Sequence, residues 1–127
     1  MSAERIQPEG LAQPATYAQV VKAGNTIYIA GQVAQDERGQ LVGRGDFAAQ
    51  AIQVFENLKR ALASVGGDFG DLVKINIYLT DARYREPLVE IRARYLEGAL
   101  PAATLVVVAA LAQPEYLLEI EGVAVLG

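Results

Sequence analysis

A chain of 127 residues with 15 acidic and 11 basic side chains, net charge −4, is long enough for a single domain spanning 1–127 and too acidic for phosphate-rich partners. No basic cluster offsets that balance, so neither nucleic acid nor an anionic membrane surface is expected to bind. Cysteine and histidine are both missing, which excludes disulfides, thiolate chemistry and Cys-ligated metal and leaves any catalysis to carboxylates, Lys, Arg, hydroxyls or backbone groups.

Residues 1–15, with Pro8, Gly10 and Pro14, show no periodicity and read as an extended lead-in. The opening Met-Ser-Ala-Glu-Arg carries no apolar core of a signal peptide, so the cytoplasm is the expected compartment. Tyr17 to Ala23 and Thr26 to Val33 flank Gly24-Asn25 and predict a β-hairpin. Gly31 marks a bulge or a close approach of backbone to another group. The glycines at 39, 43 and 45 lie in a polar loop and lack the strand-to-helix setting and lysine of a phosphate-binding motif. That loop has room for a short edge strand at Gln40-Leu41-Val42.

Asp46 is placed to cap a helix in which Phe47, Ala51, Val54, Phe55, Leu58, Ala61, Leu62 and Val65 recur at three- and four-residue spacing. Gly66-Gly67 stops it. Val73, Ile75, Ile77 and Leu79 alternate with Lys74, Asn76 and Tyr78, the pattern of a half-buried strand. Pro87 suits a first helical position, and Leu88, Ile91, Tyr95 and Leu96 form one face of a second helix ending at Gly98. Its other face carries Glu90, Arg92, Arg94 and Glu97, a solvated set of charges. Thr104 to Leu111 is an unbroken apolar run, expected to be buried on both faces. Leu117 to Leu126 makes a last strand.

The order β-β-α-β-α-β-β predicts an α+β fold with a mixed β-sheet and two helices on one face. With 52% of residues hydrophobic and only 20% charged, the second face also needs cover, and another copy of the chain is the expected source.

Tyr17, Ile27-Tyr-Ile-Ala-Gly-Gln32, the strand from Asp71 to Asp81, Leu100-Pro-Ala-Ala-Thr-Leu-Val-Val-Val108 and Leu118-Glu-Ile-Glu-Gly-Val-Ala124 together resemble the Rid family, also called YjgF or RidA-like enamine/imine deaminases. The match runs from about Pro14 to the C-terminus. The resemblance implies a chorismate-mutase-like fold and a homotrimer with a central barrel and a small-molecule cleft between neighbouring subunits. It also implies cofactor-free hydrolysis of enamines or imines to oxo acids and ammonia.

Carried over residue by residue, the resemblance makes Tyr17 a cleft hydroxyl and Glu119 the residue that orients the attacking water. Ala30, Gly31, Ala103, Thr104 and Leu105 become cleft positions, and the Leu105 N–H a donor to bound oxygen. Three positions depart from the family pattern: Ala103 stands where an arginine grips the substrate carboxylate, Leu105 where a small polar or sulfur residue is common, and Ala30 where serine is usual. Arg83 or Arg85 could supply the missing cation from a loop. The alternative readings are ordinary ones: a solvated or ion-paired Glu119 and Glu121, a strand aromatic at Tyr17, surface charges at Arg83 and Arg85. Two functions follow, hydrolytic deamination of a C=N metabolite other than the standard 2-aminoacrylate, or a non-catalytic trimer that captures a small metabolite. Ribonuclease activity is not expected without histidine or a positive surface.

Overall fold

The structure, a computed structural model, describes residues 2–127. Strands β1 (Glu4–Ile6), β2 (Val20–Ala23) and β3 (Thr26–Gln32) precede helix α1 (Phe47–Ala63). Strand β4 (Leu72–Leu79), helix α2 (Arg85–Leu96), β5 (Ala102–Val107) and β6 (Leu118–Val125) complete the α+β chain. The sheet runs β1-β2-β3-β6-β4-β5. Among the described residues only β4 and β5 pair in parallel, as the crossover through α2 requires; the other pairs are antiparallel.

Local chemistry accounts for the helix ends. Asp46 sits in extended backbone and its side chain accepts from the Ala49 N–H at 3.0 Å. At the other end Gly66 adopts φ 76°, which lets the Gly67 N–H reach the Leu62 carbonyl at 2.9 Å. The apolar stripe of α1 buries Ala51, Val54, Phe55, Leu58, Ala61 and Leu62 against β3 and β6. From the sheet, Val20, Ile27, Ile29, Ile75, Ile77, Leu79, Leu118, Ile120 and Ala124 meet them. Each such aliphatic side chain contributes about 1.5–3 kcal/mol on leaving water. Stacked rings tie α2 and the turn before it to α1, Phe47 on Tyr84 at 4.5 Å and Phe55 on Tyr95 at 5.0 Å.

Five expectations change. The lead-in contains β1, which pairs Glu4 with Lys22 and Ile6 with Val20; three residues are too few to show alternation, and the exposed edge of β2 supplies the pairing. Gln40-Leu41-Val42 forms only an isolated bridge, Leu41 to Gln35. Pro87 is the third residue of α2, because a 3-10 turn at Ala82–Tyr84, capped by the Asp81 side chain, already points the chain into the helix. Any first-turn position spares the proline its missing N–H. Val73 is exposed while Leu72 is buried, since the ladder to β6 slips between Leu72 and Lys74.

The largest difference concerns the apolar run. Within this chain β5 is an edge strand, and Val106 and Val107 are 43% and 51% exposed rather than buried on both faces. Continuous hydrophobicity predicts cover but does not say whether the same chain provides it. No helix among the described residues is long and apolar enough to cross a membrane.

Candidate functional site on the open face of the sheet

The helices cover one face of the sheet. On the other, alternation along β4 and β6 brings polar side chains together. Register pairs Tyr78 with Glu119 and Asn76 with Glu121, and across β5 pairs Asn76 with Thr104. Side chains two apart on a strand share a face, so Glu119 and Glu121 stand side by side with Asn76 and Tyr78.

Glu121 is held firmly. Its Oε1 accepts from the Tyr78 hydroxyl at 2.6 Å and from Asn76 Nδ2 at 3.1 Å. That hydrogen bond, followed by burial and by the charges of Glu121 and Glu119, pushes the Tyr78 phenol up, so it remains a donor at neutral pH. Glu119 is different. No hydrogen bond to its carboxylate is formed among the described residues, and burial, then the neighbouring Glu121 charge, raises its pKa above the ordinary 4.5. A carboxyl desolvated beside a fixed like charge holds its proton more readily than an exposed one, which suits it to exchanging protons with a bound molecule.

Gly31 explains where Glu119 can lie. The β3–β6 ladder slips between Ile29 and Gln32, and a Cβ built on Gly31 would fall 1.9 Å from Glu119 Oε2 and 2.7 Å from its Cδ. The carboxylate occupies the space that any other residue at 31 would fill. The sequence expectation of a bulge with close approach holds, and the approaching group is the candidate catalytic side chain itself.

Glutamines fix the backbone beneath. Gln32 Nε2 donates to the Ala30 carbonyl and to Gln19 Oε1, each at 2.9 Å. Gln19 Nε2 donates to the Ala12 carbonyl, and the Ala30 N–H donates to the Gln19 carbonyl. Gln7 then clamps the segment carrying Tyr17, accepting from the Gln19 N–H and donating to the Tyr17 and Pro14 carbonyls. Gln19 and Gln32 are almost fully buried, so each unmade bond would leave a costly orphan. This relay had no motif to announce it; isolated glutamines in apolar strands were the only available signal.

The remaining candidates are dispersed. Tyr17 lies in the loop before β2, 51% exposed, its ring within electrostatic reach of Tyr116, whose hydroxyl burial pushes up. Ala103 and Thr104 are exposed on β5, while the Leu105 side chain is half-buried and packed on the core. Arg83 is engaged: its guanidinium grips Asp81, Nη2 to Oδ2 at 2.6 Å, and holds that carboxyl at about 2. Arg85 lines a surface hollow with Arg83, Glu86, Pro87, Val89 and Glu90 on α2. Neither arginine lines the depression of about 340 Å³ on the open face, which is walled by Ala18, Val21, Tyr28, Ala30, Lys74, Asn76 and Glu121 among others. Lys74, Asn76 and Tyr78 were visible as the polar half of a strand; only the β4–β6 pairing places them beside the glutamates. Among the described residues no group of three or more acidic side chains could hold a metal ion.

Comparison with known proteins shows the family of the chain. The sequence model of the family described as endoribonuclease L-PSP matches residues 9–126. The 3-aminoacrylate deaminase RutC of Acinetobacter baylyi is 36% identical over 125 residues, 98% of each chain. The mouse 2-iminobutanoate/2-iminopropanoate deaminase is 40% identical over 112 residues, covering 87% of this chain and 82% of the relative. The crystal structure of RidA from an Antarctic Psychrobacter superposes with a TM-score of 0.89 at 40% identity, covering 97% and 99% of the two chains. The fold, the length of the match and these relatives together establish that the chain belongs to the Rid (YjgF, endoribonuclease L-PSP) family.

Proposed function

We propose that this protein hydrolyses a small enamine or imine in a cleft formed where copies of the chain meet as a homotrimer, without a cofactor. The observation that carries the reading is the Glu119 carboxyl lodged over Gly31, its pKa raised by burial and by Glu121. In protonated form it delivers a proton to the enamine carbon or imine nitrogen; as carboxylate it orients water toward the C=N carbon and accepts the water's proton. Water adds, the C–N bond breaks, and ammonia leaves a carbonyl. Tyr17 orients the substrate and the Leu105 N–H receives its oxygen. The names of the relatives, which act on aminoacrylate and imino acids, support the same chemistry. The exposed apolar side chains of Val106 and Val107 on β5, Tyr28 on β3 and Val125 on β6 support the shared cleft.

The standard 2-aminoacrylate activity is not expected at full strength. Ala103 offers no guanidinium, and loss of a bidentate contact to a carboxylate in a closed cleft removes about 2–5 kcal/mol, or roughly one and a half to three and a half decades in rate. Ammonia release from 2-aminoacrylate, generated in situ by a dehydratase, tests this. We expect slow turnover by the wild type, a rise of about a hundredfold in Ala103→Arg, and loss of about two to four decades in Glu119→Gln. No hydrolysis of any imino acid by either the wild type or Ala103→Arg would remove the deaminase reading. The apolar residues at 30, 103 and 105 favour one second reading, a non-catalytic trimer that captures a metabolite. A compound that raises the melting temperature and is recovered unchanged would support it.

A further inference from the structure

We infer that Gln32 is a positioning residue for Glu119: from the covered face of the sheet it holds the bulge in β3 on which the carboxylate lies. The inference rests on the Glu119 reading above and adds what keeps that carboxyl in place. Pairing continued regularly from Ile29 and Gly122 would set Gly31 against Ile120 and Gln32 against Glu119. The observed ladder instead joins Gln32 to Ile120. One extra residue is therefore accommodated on β3, opposite Glu121. Directly paired residues share a face of the sheet. The bulge thus turns the Gln32 side chain inward, beside the fully buried Ile120, where it is 2% exposed. In the regular register the same amide would stand on the open face with Glu119.

The amide is committed to the bulge. Its two N–H donors go to the Ala30 carbonyl and to Gln19 Oε1, each at 2.9 Å. Ala30 is fixed at both backbone groups, since its own N–H donates to the Gln19 carbonyl at 2.9 Å. Turning the amide over would bring Gln32 Oε1 against two acceptors, so the donors keep their direction. A slip to the regular register would take the amide away from both partners, and a buried polar group left without its bond is costly. Gly31 lies between the two residues so fixed, and the Glu119 carboxylate occupies the space beside it that a side chain would fill. Gln32 therefore acts on Glu119 through the backbone of one glycine.

The test reads the carboxyl itself and is independent of turnover. The intact protein, with glutamate labelled by 13C at the side-chain carboxyl, is titrated by NMR, and Glu119→Gln identifies the Glu119 signal. The wild-type midpoint is expected above the ordinary 4.5. Gln32→Met, similar in length but without donors, is expected to bring it down toward that value. Gln19→Met, which removes only the outer acceptor, is expected to bring it part of the way, and Gly31→Ala, which displaces the carboxylate directly, marks the full effect. Leu58→Ala, a core truncation in α1, is expected to lower the melting temperature and leave the midpoint unmoved. A folded Gln32→Met with a lower melting temperature and an unmoved midpoint overturns the inference, as does a wild-type midpoint at 4.5 or an equal shift in Leu58→Ala. Should Gln32→Met not fold, Gln19→Met decides on the same terms. A midpoint that depends on Gln32 in a protein without hydrolytic activity would sustain the inference while removing the deaminase reading.

Discussion

The two faces of the sheet are built on opposite principles. Under the helices, Ile75, Ile77, Leu118 and Ile120 are fully buried, and their polar neighbours Gln19, Gln32, Gln50 and Asn57 have their bonds made within the chain. On the open face the same strands carry Lys74, Asn76, Tyr78, Glu119 and Glu121, with one carboxylate held and the other left free to titrate. A strand's two-residue period lets one segment serve both tasks. Apart from Gln32 and its partner Gln19, substitutions should therefore separate cleanly, the covered face changing stability and the open face changing chemistry.

The strongest challenge to that division is Leu58→Ala. Leu58 is fully buried in α1, and truncation should cost about 2–5 kcal/mol in chemical denaturation while leaving the turnover of the remaining folded protein unchanged. A matching loss of turnover would tie the two faces together. Gly31→Ala sharpens the contrast from the other side. The new methyl displaces the Glu119 carboxylate, which can swing outward. Activity should fall toward that of Glu119→Gln while stability drops by only about 1 kcal/mol. Asp46→Ala, which removes the cap on the Ala49 N–H, should cost about 1 kcal/mol and leave activity intact.

The smallest effect is one of pH. Burial raises the Glu119 pKa, so the folded state favours its neutral form. Its contribution to stability is present in full below the unfolded value near 4.5 and is lost as pH rises through the elevated folded value. Melting temperature followed from pH 4 upward should decline less in Glu119→Gln than in the wild type; parallel profiles would mean that Glu119 is solvated.

Much of this was legible beforehand. Periodicity located α1 and its cap, the alternation in β4, the hairpin at Gly24-Asn25 and the need for Gly31, because each depends on residues near one another in sequence. Blocks of residues identified the family. The company of Lys74, Asn76 and Tyr78 was not legible, because nothing in a strand's own pattern says which strand lies beside it.

By itself, then, the sequence determined both helices and the longer strands, the hydrophobic periods and the chemistry that no histidine or cysteine could perform. Tertiary structure decided that β4 runs between β5 and β6, and with that pairing came the neighbours of every open-face residue: Glu119 over Gly31, Glu121 under Tyr78 and Asn76, and Lys74 against Thr104. The reason is physical. Backbone preference and burial period are local properties of a chain, whereas side-chain company across a sheet depends on register between distant segments, as between Asn76 and Glu121, 45 residues apart, or between β3 and β6, which lie further apart still.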